Sequence, residues 1–455
     1  MLQTSALTTR KATDPVAFIT QNLASLNGLT GIIYGDVFLS HVISLAKQLP
    51  KKSHIVNLCG NRYLFMVSLC AAVLREQINL LPPNKNTATQ RRLAERYENT
   101  YVLHDGIDVE DGLFEFNLAN ISLATNQFDS LTDQIAQIPL TQLALISFTS
   151  GSTGDSKPNP KTWQTLTAST VINRHYMLPD LDKTYSILAT VPGQHMWGLE
   201  TSVLMALFSS ACIIDSKPLF PADIQSVLLN LPTPRVLVST PIHLRALAES
   251  DLSFPKIDIV LCATSPLTSD LALKVEQQFN AELHEVYGCS EVGSMALRKT
   301  AKEEMWLKFD GVHFASFENK TIASTDYLPE SIELSDQIAL DENDRFYLLG
   351  RSSDMVDIAG KRGSLAEINK VLLQFEGILD GIVLFPEQNR VTPRLVAIVV
   401  LKKNWTKEQL KAHFGKYLDS AFIPRPIFNV EQLPREENGK LPRRKVDELY
   451  KVLSA

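Results

Sequence analysis

The sequence SFTSGSTGDSKP, Ser147 to Pro158, is the frame on which the rest of the chain can be read. The apolar run before it, Leu143 to Phe148, predicts a buried strand, and Thr162 to Met177 after it has the composition and spacing of a helix. Two glycines, Gly151 and Gly154, stand among Ser147, Thr149, Ser150, Ser152 and Thr153, and the run ends at Lys157. Backbone N–H groups and hydroxyls on such a loop suit phosphate oxygens. A Ser/Gly-rich surface turn has a similar composition; the preceding strand and the lysine favour the phosphate loop. Walker spacing would put glycine immediately before the lysine, whereas Ser156 stands there and Pro158 follows, so this is a different phosphate loop.

Outward from that loop the chain alternates short apolar runs with amphipathic ones. His54–Cys59 and Ile78–Leu81 read as strands around a helix at Tyr63–Arg75. Beyond the loop, Ser186–Val191, Ala211–Asp215, Val236–Ser239, Ile257–Cys262 and Glu282–Val286 read as strands, separated by helices at Pro221–Leu229, Pro241–Ser250 and Leu271–Phe279. Strand–helix alternation predicts a doubly wound α/β core with ligands beyond the carboxyl ends of the strands. Residues 364–455 read instead as a small α+β module: strands at Ile378–Phe385, Leu395–Leu401 and Ile427–Leu433, and a helix over Thr406–Leu418 opening on a threonine cap.

At 455 residues two or more domains are expected. Hydrophobic content of 45% and charged content of 21% describe an ordinary globular protein, and the net charge of −6 argues against a nucleic-acid partner. The five cysteines (Cys59, Cys70, Cys212, Cys262, Cys289) are odd in number and lack a Cys-x-x-Cys pair, which argues against a disulfide framework or a zinc site and fits a reducing cytoplasm. The polar start through Arg10 and Lys11 does not resemble a signal peptide, and the apolar run Leu64–Leu74 is too short for a membrane span and reads as a core helix. Residues 351–455 carry 18 Lys+Arg against 13 Asp+Glu, a net +5, leaving −11 for the rest. That asymmetry suits an anionic partner meeting the tail in trans.

The segment Thr149-Ser150-Gly151-Ser152-Thr153-Gly154 with Lys157 closely resembles the phosphate loop of the adenylate-forming (AMP-binding) superfamily, which includes acyl-CoA synthetases, luciferases and peptide-synthetase adenylation domains. Further stretches resemble that family's motifs in the same order. Gly193-Gln194-His195-Met196-Trp197-Gly198 matches a His-x-x-Gly element lining the acyl pocket, and Ala263 to Leu267, including Ser265, matches a loop lying against adenine. Tyr287-Gly288-Cys289-Ser290-Glu291 matches the Tyr-Gly-x-Ser/Thr-Glu motif: a ring face for the purine, a glycine for close backbone approach, a hydroxyl for phosphate, and a carboxylate that suits magnesium. Asp336 stands where the family holds the ribose hydroxyls, 15 residues before Arg351 of a Gly-Arg-x-x-Asp hinge whose aspartate is Asp354; Gly360 falls on the loop lining the thiol tunnel. Asp357 and Gly363 depart from the family's usual lysine and valine or isoleucine. Lys440, in Asn438-Gly439-Lys440, matches the terminal Gly-Lys motif.

The resemblance implies a large N-terminal ATP- and acid-binding domain over residues 1–350 with doubly wound sheets, and a small mobile α+β domain over 351–455. It implies a ligase that turns a carboxylic acid into acyl-AMP with ATP and Mg2+, with Thr149 and Glu291 at the metal and His195, Glu291 and Lys440 at the reacting centre, and then transfers the acyl group to a thiol. Amino-acid-activating members carry an aspartate just after the aromatic; here Trp197 is followed by Gly198, Leu199 and Glu200, so the acid is expected to lack an α-amino group. The compact chain resembles the stand-alone ligases of fatty-acid-like and aryl-polyene clusters, which charge the phosphopantetheine of an acyl carrier protein. Free CoA is the alternative thiol, and amino-acid adenylation or an idle nucleotide-binding scaffold are the competing readings.

Overall fold

The computed structural model describes residues 3–21, 23–125, 135–149, 157–317, 320–341, 343–351, 354–358, 361–386 and 394–454. They divide into two compact units. The first comprises Met1–Ser239, Asp251–Cys262 and Phe279–Met295, the second Thr240–Ser250, Ala263–Gln278 and Ala296–Ala455. The fold is α/β, as expected.

The first unit holds two large sheets beside a two-stranded pair, Thr4–Ala6 with Gln137–Pro139. One runs in the order Lys157–Thr162, Leu143–Thr149, Ile78–Leu81, His54–Asn57, Thr100–His104, Glu115–Asn117, parallel apart from the first pair. The helix Arg62–Leu74 belongs with it: Asn61 caps it by accepting from the Tyr63 and Leu64 N–H groups, and every residue from Arg62 to Val73 is buried. A helix covered on all sides shows no polar stripe, which is why its sequence reads as one apolar run. In the other sheet, Pro15–Ile19, Ala211–Ile214, Tyr185–Ala189, Arg235–Ser239, Ile259–Cys262 and Glu282–Cys289 lie parallel in that order, with Gly31–Tyr34 antiparallel at the near edge. Ala189 lies beside Val238, Ser239 beside Cys262 and Cys262 beside Glu285, so the carboxyl ends of three strands come level while Glu282–Cys289 runs on past them.

The Lys157–Thr162 strand departs from the predicted loop-to-helix passage. Its two prolines and two lysines read as loop, yet it pairs antiparallel with Leu143–Thr149. An edge position tolerates this, because a proline there need only turn its missing N–H away from the ladder. Thr162 then becomes the cap of the helix Trp163–Met177, its hydroxyl accepting from the Thr165 N–H at 3.2 Å.

In the second unit, Ala296 and Leu297 pair with Trp306–Lys308, which pairs with Arg345–Arg351, which pairs with Asp336–Leu340, all antiparallel. Val312–Phe317, Lys320–Thr325 and Ile332–Leu334 make a separate three-stranded sheet. Further on, the hairpin Met355–Ile358 with Lys361–Ser364 leads to the helix Leu365–Leu373. A three-stranded sheet of Ile378–Leu384, Val396–Leu401 and Ile427–Asn429 buries Leu372, Leu410 and Phe414 on one side and Val446 and Tyr450 on the other. Lys407–Tyr417 opens with a reciprocal capping box between Thr406 and Gln409. The strand predicted to reach Leu433 ends at Asn429, and a final helix, Arg443–Ser454, follows.

Candidate active site

The hairpin of the first unit sets Thr149 opposite Lys157, so the backbone closes on itself at the base of the predicted phosphate loop. Ser150, Gly151, Ser152, Thr153 and Gly154 lie outside the described residues. Lys157 is exposed at the rim, while Lys161, four residues along, is almost fully buried and donates from Nζ to the backbone carbonyl of Glu291.

His195 and Trp197 follow the end of Tyr185–Ala189. Their segment is fixed from several sides. The Arg62 guanidinium, fully buried, donates to the carbonyls of Ala189 at 2.9 Å and Val191 at 2.7 Å and to Ser202 Oγ at 2.8 Å. Burial lowers its pKa to about 10, partly offset by Asp215, so it stays charged at neutral pH. Gln194 donates to the Cys59 carbonyl, and Trp197 Nε1 to the Ser239 carbonyl at 3.1 Å. His195 is half-buried. A side chain at Gly198 would run into the Pro192 carbonyl, so the glycine serves close backbone approach and does not open a space. Leu199–Leu204 then winds as a π-helix, a form that recurs at functional sites.

Tyr287 is buried near the end of Glu282–Cys289, and Ser290 to Val292 form the turn into Gly293–Arg298. Ser290 and Glu291 are half-exposed. Gly293 has φ +103, and a Cβ on it would collide with Glu200; a Cβ on Gly288 would collide with the Gly293 carbonyl. Glu200 is buried, and its Oε2 accepts from Ser294 N–H at 3.2 Å and Ser294 Oγ–H at 2.7 Å. Burial pushes its pKa up, while Ser294 and the charge of Lys161 pull it down. Burial likewise lowers Lys161, with Glu200 opposing. Burial also raises the Cys289 thiol to about 12, which leaves it unreactive.

The second unit holds the remaining candidates. Ser265 follows Thr264, a β-branched residue at φ +87 whose buried hydroxyl has no hydrogen-bond partner among the described residues. Strain of that kind is characteristic of functional loops. Asp336 is half-buried and opens its strand directly opposite Arg351, so a 15-residue separation in sequence closes through a hairpin. Asp354 is half-buried, and Gly360 lies outside the described residues. Lys440 is exposed on a loop built around Arg435, whose guanidinium holds Asp380 through Nε to Oδ2 at 2.7 Å and Nη2 to Oδ1 at 2.6 Å and donates from Nη1 to the Gly439 carbonyl at 2.7 Å. Gly439 has φ +77, and the Lys440 carbonyl accepts from Glu436 N–H at 2.8 Å.

Among the described residues no three His, Cys, Asp or Glu side chains cluster to hold a metal. Magnesium accommodates itself to that, being carried by substrate phosphates with one or two protein carboxylates. Glu291, a half-exposed carboxylate on a turn with a hydroxyl neighbour, fits that donor set. Lys161, Arg62 and Arg435 match no motif in the sequence, and Glu200 enters there only as the first acid after Trp197. The retrospective signals are a lysine between prolines and tryptophan, and single charges inside apolar helices.

The profile of the AMP-binding enzyme family matches residues 43–312. The chain is 22% identical over 312 residues to a 3,4-dihydroxybenzoate–[aryl-carrier protein] ligase of Bacillus anthracis, covering 66% of this chain and 73% of that protein. It is 23% identical over 399 residues to a 2-succinylbenzoate–CoA ligase of Listeria monocytogenes, covering 81% and 83%. The crystal structure of ATP-bound MatB from Rhodopseudomonas palustris superposes with a TM-score of 0.77 at 18% identity over 97% of each chain.

Proposed function

Because the chain belongs to the AMP-binding enzyme family and is an AMP-forming acid–thiol ligase, we propose that it activates an aromatic or fatty carboxylic acid without an α-amino group and transfers it to the phosphopantetheine of an acyl carrier protein. The observation that carries the substrate class is the state of Glu200. It is the first carboxylate after Trp197, and it is buried and committed to Ser294, which leaves no acid in that segment to pair with a substrate ammonium. The charge of residues 351–455 and the aryl-carrier-protein ligase relative support a carrier acceptor. The CoA ligase relative supports free CoA equally, and CoA is the second reading.

In the first half-reaction a carboxylate oxygen attacks the α-phosphorus of ATP and the bond to pyrophosphate breaks. Bound magnesium, held by Glu291 and Thr149, would neutralise phosphate charge. The chain's own part is positioning and electrostatics. The hydroxyls and backbone of Thr149 to Gly154, with Lys157, receive the phosphates; Tyr287, Gly288, Ser290 and Ser265 receive the adenosine and α-phosphate, and Asp336 the ribose, beside Arg351. His195, Trp197 and Gly198 line the acid, and Lys440 offsets charge gathering on the carboxylate and α-phosphate. In the second half-reaction a thiol sulfur attacks the acyl carbon and AMP leaves. Residues 351–455 act as a mobile module about Asp354, which exchanges Lys440 for the Gly360 loop between the two steps.

ATP–pyrophosphate exchange across aromatic acids, medium-chain aliphatic acids and the proteinogenic amino acids tests the substrate class. Exchange is expected with members of the first two sets and at background with the third. Exchange above background with an amino acid refutes it. Acceptor choice follows from competition between carrier protein and free CoA; a preference for CoA replaces the carrier reading.

A further inference from the structure

Two buried side chains of opposite charge grip one short turn. Lys161 reaches it from the Lys157–Thr162 strand and binds the Glu291 carbonyl; Glu200 reaches it from the Leu199–Leu204 π-helix and binds the Ser294 amide and hydroxyl. Between those anchor points lie Val292 and Gly293, and the missing Cβ of Gly293 is what lets the Glu200 carboxylate in. Both charges are nearly fully removed from solvent, where an unpaired ion is strongly disfavoured. Packing alone would be served as well by a pair of apolar side chains of similar volume. What apolar side chains cannot do is fix the Glu291 carbonyl at the centre of the turn and the Ser294 amide just past its end.

We propose that Lys161 and Glu200 are positioning residues that hold the Ser290–Val292 turn in the one shape that presents the Glu291 carboxylate and Ser290 hydroxyl to magnesium-bound nucleotide. The inference rests on the reading of Glu291 as the magnesium contact. It adds that the contact's affinity is set from outside the motif, by two side chains, Lys161 and Glu200, that have no place on metal or phosphate in that reading. Partners that orient a metal ligand typically account for 10–100-fold in metal affinity.

The test uses the full chain and calorimetric ATP binding, with and without magnesium, together with amide exchange of the ligand-free protein. The paired variant Lys161→Met/Glu200→Leu removes both charges together, so no buried ion is left alone. Its magnesium half-saturation should rise about 10–100-fold, ATP affinity in the presence of EDTA should stay within twofold, and the Val292 to Ser294 amides should exchange faster. A half-saturation within twofold of wild type overturns the proposal, whatever the thermal stability. Should the paired variant fail to fold, Ser294→Ala decides in the same way: it deletes only the hydroxyl bond to Glu200, and a several-fold rise supports the proposal where an unchanged value overturns it. Glu291→Gln separates this proposal from the reading beneath it. If Glu291→Gln leaves the magnesium titration unchanged while the paired variant shifts it, the metal assignment fails and the positioning of the turn stands; the converse pattern removes Lys161 and Glu200 and keeps Glu291.

Discussion

Arg435→Met should loosen the loop that carries Lys440 without touching Lys440 itself. The substitution keeps most of the aliphatic stem but deletes a bidentate pair to Asp380 at 2.7 and 2.6 Å and a third bond to the Gly439 carbonyl at 2.7 Å. Arg435 is 19% exposed and Asp380 11%, so the pair is mostly shielded. Removing one partner of a buried pair costs about 3–5 kcal/mol, and the part-exposure of the arginine places this one near the lower end, about 3 kcal/mol. At 1.4 kcal/mol per tenfold, local opening should become roughly a hundredfold more frequent. Native-state hydrogen exchange of the Glu436 and Gly439 amides, both bonded within the loop, reads that directly. Adenylate formation should fall as well if Lys440 has its proposed role, because a lysine on an unfixed loop loses its preorganisation. Exchange of those two amides within threefold of wild type would refute the assignment of Arg435 as the loop's anchor.

Lys440→Ala should lower ATP–pyrophosphate exchange by about 10²–10³-fold while moving the melting temperature little, because the side chain is exposed; thiol capture of a supplied acyl-adenylate should stay near wild type, and equal rates in both assays would return Lys440 to an ordinary surface lysine. His41 is buried against the Tyr63 hydroxyl at 2.8 Å, and burial lowers its pKa from 6.5 to about 4. The unfolded chain therefore binds a proton below pH 6.5 that the folded chain refuses until about pH 4, so about 3 kcal/mol of stability is present above pH 6.5 and lost as pH falls through that window. His41→Gln should flatten urea-midpoint profiles between those limits, and a profile parallel to wild type counts against it. Gly198→Ala drives a methyl into the Pro192 carbonyl, so the KM for the acid should rise at least several-fold with the KM for ATP within twofold; equal changes in both would show general damage.

Much of the first unit is legible because its elements are locally self-consistent. Ile78–Leu81 and Pro221–Leu229 fall where apolar runs and proline punctuation place them, and Thr406 caps its helix as its position before an amphipathic run implies. What escaped depends on partners far along the chain. Nothing local in Lys-Pro-Asn-Pro-Lys-Thr indicates a strand; the Leu143–Thr149 strand supplies its ladder. Glu200 looks like a solvent-facing charge until Ser294, 94 residues on, is brought to it. Asp336 comes to lie opposite Arg351 only through a hairpin that no local pattern around it announces. Motif spacing locates residues against a family's pattern, whereas the buried charges around those motifs follow no spacing rule.

The two prolines of the Lys157–Thr162 strand bear on how the protein behaves in crowded or concentrated solution. An outer strand with free N–H and C=O groups is a template on which a second copy can add, and sheets left open in this way seed fibrils and precipitates. Pro158 and Pro160 have the same parity along the strand, so both missing donors fall on one side, the side turned from Leu143–Thr149. Every other rung available to an incoming chain is therefore blank. The margin that follows the Ser147–Pro158 stretch is thus a poor template for self-association, for the same two residues that hide its strand character in the sequence.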